Sequence, residues 1–311
     1  MTEKAVYFDS SKCTACKGCQ VACKTWNNLP SPVGTNEAKW SGTHQNPVDL
    51  NGDTRLIITF NELEGDSMIK PVKWAFGRRA CQHCTDAPCA SVCPGGALVR
   101  NEETGFVEVY QDKCVGCQYC HSACPFDVPR YESNGLLDKT VIDKCTGCAD
   151  RVAHGMAPAC VSACQPNALQ FGDRDEMIAK EKVAWLHENG YPDACLYGEH
   201  EMGGLHVIQV LKYGIGAHDQ VQDPKAPATA QLTQIMKPVT GAISGLTVAG
   251  LAVMFGLAIG YKRDKLAYNP ETEDTVSVIT GDVVQHGDPQ DDKTVMEHIT
   301  ENLPIGKKGD K

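Results

Sequence analysis

Of the 17 cysteines in this chain, all but Cys195 fall into four groups of four, and no other feature constrains the fold as strongly. The groups are Cys13, Cys16, Cys19, Cys23; Cys81, Cys84, Cys89, Cys93; Cys114, Cys117, Cys120, Cys124; and Cys145, Cys148, Cys160, Cys164. Groups one and three follow C-x2-C-x2-C-x3-C without deviation. A loop of that spacing wraps three thiolates around one [4Fe–4S] cube, and the last step carries the fourth toward a neighbouring cube. Four groups therefore imply four [4Fe–4S] clusters in two pairs, a path for single electrons. Other thiolate chemistries fit less well. Structural zinc takes separated C-x2-4-C pairs. Disulfide frameworks belong to short secreted chains, and 311 residues can build a core without one. Cys117-Gln-Tyr-Cys120-His121 matches the haem-attachment pattern, but group three already uses both cysteines, which leaves His121 an ordinary surface or packing residue. Cys195 reads as a small buried apolar side chain.

A net charge of −10 argues against nucleic-acid binding, which needs a basic surface. The N-terminus lacks the basic and apolar regions of a signal peptide, which leaves the compartment open, because a partner can carry the export signal. Ala5–Phe8 is a strand leading into group one. The cysteine-free insertion that follows holds Trp26, Trp40 and Trp74, expected in core packing, and a strand over Arg55–Phe60. Residues 97–110 read as a hairpin around Asn101-Glu-Glu-Thr-Gly105, and a hairpin between two cysteine groups is the layout of a two-cluster ferredoxin. Ala168–Gly172 is a strand that would close a sheet with Ala5–Phe8, pairing groups one and four around a nested unit of groups two and three. Spacing leaves this open: Cys93 to Cys114 equals Cys124 to Cys145, so group three suits either neighbour. The fold class is thus α+β, two nested bacterial-ferredoxin-like units: 1–23 with 138–172, an insertion at 24–76, and 77–137 within. An extension at 173–222 follows, with one helix expected from Arg174 to about Asn189 and a strand over Leu205–Leu211.

A Pro/Ala-rich linker, 223–238, precedes an uncharged run from Val239 to Tyr261. As a helix it spans about 35 Å, against roughly 30 Å of bilayer hydrocarbon, so one C-terminal transmembrane helix is expected. Gly241, Gly245, Ala249, Ala252, Gly256 and Gly260 recur at steps of three and four, a small-residue stripe on which another helix can pack closely. Lys262, Arg263 and Lys265 place the following side in the cytoplasm by the positive-inside rule. The polar, acidic tail, 262–311, shows no strong periodicity and reads as flexible or ordered by a partner.

Four such groups followed by one span resemble the iron–sulfur (beta) subunits of membrane-bound formate dehydrogenases, within the four-cluster subunits of molybdopterin oxidoreductases. The likeness rests on Cys13-Thr-Ala-Cys16-Lys-Gly-Cys19-Gln-Val-Ala-Cys23, Cys114-Val-Gly-Cys117-Gln-Tyr-Cys120, Cys124-Pro-Phe-Asp-Val-Pro-Arg130 and Lys144-Cys145-Thr-Gly-Cys148-Ala-Asp-Arg151. It implies one cluster on Cys13, Cys16, Cys19 and Cys164 and its neighbour on Cys23, Cys145, Cys148 and Cys160. A third lies on Cys81, Cys84, Cys89 and Cys124, and the fourth on Cys93, Cys114, Cys117 and Cys120. The implied partners are a molybdopterin (Mo or W) catalytic subunit that oxidises formate and a membrane cytochrome b packed on the stripe, in a heterotrimer or a multimer of it. The iron–sulfur domain is expected on the outer (periplasmic) face of the cell membrane. No nucleophile–base constellation marks the chain as an enzyme by itself. The competing readings are a subunit of a polysulfide- or dimethyl sulfoxide-type reductase, a hydrogenase subunit, and a zinc scaffold.

Overall fold

Ala5-Val-Tyr-Phe8 is apolar on both strand faces, and strand β1 (Lys4–Asp9) is accordingly buried from Ala5 onward. In the computed structural model, which describes residues 3–30, 42–132, 140–260 and 266–286, this strand sits inside a four-stranded sheet. Strand β8 (Leu169–Asp173) pairs antiparallel with it, Phe8 opposite Leu169 and Lys4 opposite Asp173. Strand β10 (Val207–Leu211) lies parallel on the other side, Val6 opposite Val207, and β9 (Cys195–Tyr197) forms the outer edge. The pairing with β8 is the one expected from the runs at 5–8 and 168–172; the parallel neighbour β10 on the other side is not part of that expectation.

The insertion is a long hairpin, β2 (Leu56–Ser67) and β3 (Lys70–Ala80). The strand expected at 55–60 runs on to Ser67; its base (Leu56, Ile57, Ile58) is buried and its tip (Met68, Ile69) is exposed. Two of the tryptophans correct the sequence reading. Trp26 and Trp74 sit at the surface rather than in the core. Trp26 stacks under the Arg151 guanidinium and donates to Asp150, and Trp74 packs on Phe60 and Phe76. Trp40 lies outside the described residues.

The cysteine groups are tied together by short elements. Helix α1 (Gly18–Trp26) follows group one, and α2 (Pro88–Ser91) lies within group two. The hairpin of β4 (Leu98–Arg100) and β5 (Val107–Val109) joins groups two and three. Helix α3 (Tyr119–Ala123) closes group three, and β6 (Arg130–Glu132) with β7 (Val141–Asp143) leads to group four. Helices α4 (Ala149–Ala153) and α5 (Ala159–Ser162) fill the longer gap between Cys148 and Cys164. A nearly buried ion pair, Arg55 Nη2 to Asp143 at 2.7 Å, braces β2 against β7.

The helix expected from Arg174 to Asn189 is two: α6 (Arg174–Ala179) and α7 (Val183–Glu188). Met177 and Leu186 are both buried in one cluster with Tyr7 and Ile208. Nine residues apart on a continuous helix, they would point in opposite directions at about 100° per residue. The break at 180–182 turns both inward. Helix α8 (Gly214–Ala217) precedes the linker, and the backbone then forms one helix, α9 (Ala228–Gly260). Its start is anchored where Ala230 packs on Val92 and Ala123. Among the described residues, no helix is long and apolar enough to cross a membrane. Within the run read as a span, the side chains of Thr240, Gly241 and 256–260 are not described and Tyr261 lies outside the described residues.

The chain divides into two compact units, Met1–Val239 and Thr240–Lys311. In the second, residues 266–286 form an antiparallel sheet of β11 (Leu266–Asn269), β12 (Asp274–Ser277) and β13 (Val283–His286). Of the two readings of the tail, flexible or ordered by a partner, this corrects the flexible one over that stretch. Lys262, Arg263, Lys265 and residues 287–311 lie outside the described residues.

Candidate metal centres

The cysteine loops share one backbone device. In each C-x-x-C loop the residue before the second cysteine is left-handed: Ala15 (φ 52), His83 (φ 50), Gly116 (φ 70) and Gly147 (φ 67). In groups one and three the residue after the second cysteine is left-handed too, Lys17 (φ 60) and Gln118 (φ 63). A left-handed residue costs an L-amino acid about 1–2 kcal/mol, and the repeated reversal curls the loop so that successive Sγ atoms face one centre. Lys17 and Gln118 are also the residues from which α1 and α3 start. Each helix then carries the group's fourth cysteine (Cys23, Cys124) away from the loop's own centre.

The sixteen thiols come together in four sets, each lining a separate cavity. Cys13, Cys16, Cys19 and Cys164 line one, with Phe8, Ile58 and Leu169. Cys23, Cys145, Cys148 and Cys160 line another, with Leu56, Arg78, His83 and Phe106. Cys81, Cys84, Cys89 and Cys124 share a third with Phe126 and Lys144, and Cys93, Cys114, Cys117 and Cys120 share the fourth with Tyr131 and Ile142. Protein interiors are otherwise close-packed, so four spaces each framed by four thiols call for an occupant. Among the described residues, no three Cys, His, Asp or Glu side chains close on a single point as ligands of one ion do. Cys195 lines none of the four cavities; it packs at the edge of the main sheet, half-buried.

Several donors already point at these sulfurs. Ala97 N–H donates to Cys93 Sγ and Leu169 N–H to Cys164 Sγ, both at 3.2 Å; Gly147 N–H reaches Cys145 Sγ at 3.5 Å. Asn27 Nδ2 lies 3.7 Å from Cys23 Sγ, and the Tyr131 hydroxyl 2.9 Å from Cys120 Sγ. Burial pushes the thiols up, and neighbouring thiolates push the same way: Cys13 and Cys124 to about 11, Cys19 and Cys148 to about 12, with Cys23, Cys84 and Cys89 raised further. Four such groups would ionise together only around positive charge, which bound iron would supply.

Sequence reasoning missed the buried cations. Arg78 and Lys144 are nearly inaccessible, at 1% and 2% exposure. Lys144 Nζ donates to Val107 O (2.6 Å) and Cys145 O (2.9 Å) while lining the Cys81 cavity, so it stands between the second and third sets. Nothing distinguishes Arg78-Arg79 or Asp143-Lys144 in the sequence from ordinary exposed charges. The sets also differ in shielding. Cys16 and Cys117 are exposed, whereas the sets led by Cys23 and Cys81 have no exposed cysteine.

Comparison with known proteins is consistent with this site. The profile of a 4Fe-4S dicluster domain family matches residues 72–174. The formate dehydrogenase iron–sulfur subunit of Haemophilus influenzae is 35% identical over 253 residues, covering 81% of this chain and 78% of its own. The nitrate-inducible formate dehydrogenase iron–sulfur subunit of Escherichia coli is 34% identical over 268 residues, 84% of this chain and 87% of its own. A subunit of the anaerobic dimethyl sulfoxide reductase of E. coli is 37% identical over 181 residues, 58% of this chain and 78% of its own.

Proposed function

This protein belongs to the family of formate dehydrogenase iron–sulfur subunits, and on that premise we propose that it is a non-catalytic, four-cluster electron conduit between a formate-oxidising subunit and the membrane. The observation that carries this reading is the sorting of sixteen thiols into four cavities, four to each. Cys13, Cys16, Cys19 and Cys164 hold the first [4Fe–4S] cluster, and Cys23, Cys145, Cys148 and Cys160 the second. Cys81, Cys84, Cys89 and Cys124 hold the third, and Cys93, Cys114, Cys117 and Cys120 the fourth. Bound there, each cluster supplies a one-electron carrier. The chain's own part is to space these carriers, exclude water from the middle two and leave the outer two reachable. The exposed Cys16 and Cys117 mark the ends of the path. Electrons would enter at one exposed end from the molybdenum or tungsten subunit and leave at the other.

Helix α9 supplies the anchor. In 242–255, Ile243, Leu246, Val248, Leu251, Val253, Met254 and Phe255 are all more than half exposed. At about 100° per residue they fill the arc left by the stripe of Gly245, Ala249 and Ala252. A helical stretch bare of charge, with large apolar side chains over most of its girth, requires lipid or another helix for cover. We read 239–261 as a single membrane span with the iron–sulfur unit outside, Lys262, Arg263 and Lys265 in the cytoplasm, and a cytochrome b helix against Gly241, Gly245, Ala249, Ala252, Gly256 and Gly260. A reductase subunit, with electrons flowing the other way, would use the same thiols. Formate dehydrogenase subunits cover 81–84% of this chain against 58% for the reductase subunit, which favours formate. Purified anaerobically, the protein should carry about sixteen iron atoms, four per cluster, and copurify with a subunit that reduces them when formate is added. A colourless, zinc-rich preparation would overturn the assignment, and a partner that reacts only with a sulfoxide would replace formate.

A further inference from the structure

The cavity framed by Cys23, Cys145, Cys148 and Cys160 differs from the other three in being lined by two polar side chains with buried nitrogens that lack partners. Arg78 is 1% exposed, and its Nε and Nη1 have no hydrogen-bond acceptor among the described residues. His83 is also 1% exposed. Val107 N–H donates to its Nδ1 at 3.0 Å, which places the ring proton on Nε2, and Nε2 has no partner either. Both residues line this cavity, and its other walls are apolar side chains such as Leu56, Phe106 and Val207. Leaving a buried donor unpaired is costly, and more so when it is charged. Of the buried groups without partners, these two alone line a cysteine cavity among the described residues. Their missing acceptor must be whatever occupies it.

On the reading that this set of thiols holds a [4Fe–4S] cluster, we propose that Arg78, through Nε–H and Nη1–H, and His83, through Nε2–H, donate hydrogen bonds to the sulfurs of that one cluster and set its reduction potential. Cluster potentials respond to hydrogen bonds at sulfur and to nearby charge. Reduction adds one electron to the cluster and no proton; the N–H protons stay on nitrogen, and the donors stabilise the added negative charge. Arg78 carries a full positive charge and His83 a dipole, so Arg78 has the larger effect. Both are positioning residues for the electron, acting from outside the ligand set.

The test uses the full chain in its complex, titrated with dithionite and followed by electron paramagnetic resonance, with iron counted in every preparation. In Arg78→Met one of four signals should become harder to reduce by at least tenfold in its oxidised-to-reduced equilibrium, which is about 59 mV for a one-electron couple. Arg78→Lys should shift the same signal less, because the charge is kept. His83→Asn, which suits the left-handed backbone there but is too short to reach, should move that signal in the same direction by a smaller factor. Wild-type protein labelled with nitrogen-15 in arginine and histidine should show nitrogen couplings to the same cluster. Four intact clusters with unmoved potentials, or a shift spread evenly over all four, would overturn the proposal. If Arg78→Met fails to assemble, the labelled wild type decides, and absent couplings count against it. A wild type with no [4Fe–4S] signal at all would refute the cluster reading itself, an outcome distinct from these.

Discussion

Gly147 offers the sharpest test of how the loops are built. It lies between Cys145 and Cys148 at φ +67, and a Cβ there would sit 2.5 Å from Phe106 Cδ2 and 2.7 Å from Cγ. The Phe106 ring is fully buried, with its centroid 4.9 Å from that of His83 and 6.3 Å from that of Phe171, so it has little room to retreat. Gly147→Ala therefore costs about 1–2 kcal/mol for the backbone and about 1–3 kcal/mol for overpacking. Gly155 is the control: its φ is +71, but a Cβ meets nothing within 4 Å, so only the backbone cost of about 1–2 kcal/mol applies. For a unit of this size 1 kcal/mol moves the midpoint by about 2–4 °C. Gly147→Ala should then unfold about 4–20 °C below wild type and Gly155→Ala about 2–8 °C below. The assay is thermal loss of the visible cluster absorption under anaerobic conditions, with iron content measured first. On the proposed four-cluster reading, Gly147→Ala should also fall toward about twelve iron atoms. Equal midpoints and full iron in both variants would refute the reasoning.

Cys117→Ser should lose or convert one cluster, whereas Cys195→Ser, altering a thiol outside all four cavities, should keep full iron content and electron transfer; iron loss in the latter would show the ligand list to be wrong. Burial holds the Asp143 carboxyl above its usual range, against the bonds from Arg55. Arg55→Met removes those bonds and raises it further, so the folded state takes up a proton that the unfolded state releases, and stability falls as pH rises through that window. The variant should lose about 3–5 kcal/mol at neutral pH and less in mildly acidic buffer, and Arg55→Met/Asp143→Leu should recover most of it; an equal deficit at both pH values would contradict this. Gly245→Leu with Gly256→Leu should keep the protein in the membrane but release the cytochrome-like partner, while Gly250→Leu, off the stripe, should not. A Cβ at Gly245 or Gly250 meets nothing within 4 Å, so copurification of the partner with the double variant would show that the stripe faces lipid.

The local parts of this architecture were legible because they are local. A C-x2-C-x2-C loop shows itself within seven residues, and a polar turn between β-prone runs marks the hairpin of β4 and β5 wherever the rest of the chain goes. The sorting of thiols was not readable from spacing, since Cys93 to Cys114 and Cys124 to Cys145 are equal steps; resemblance supplied it. The break between α6 and α7 was hidden because charged residues 180–182 suit an exposed helix face, and only the shared burial of Met177 and Leu186 requires a turn. Strand β12 escaped notice because its buried positions are Thr275 and Ser277, which no hydropathy pattern registers. Arg78 and His83 escaped for a related reason: their partner belongs to the cavity, not the sequence.

The placing of β1 has a consequence for biosynthesis. It leaves the ribosome well before its sheet neighbours, residues 169–173 and 207–211. On the proposed ligand sets, Cys13–Cys23 must likewise wait for Cys145–Cys164, whereas the other two sets are complete once Cys124 has emerged. Translation thus delivers a finished inner pair of sites while four N-terminal thiols are still half-sites, open to oxidation. Pairings this distant in sequence form slowly. On those sets, filling would run from the middle of the chain outward, and iron entering the outer sets would fasten residues 13–23 to segments made much later.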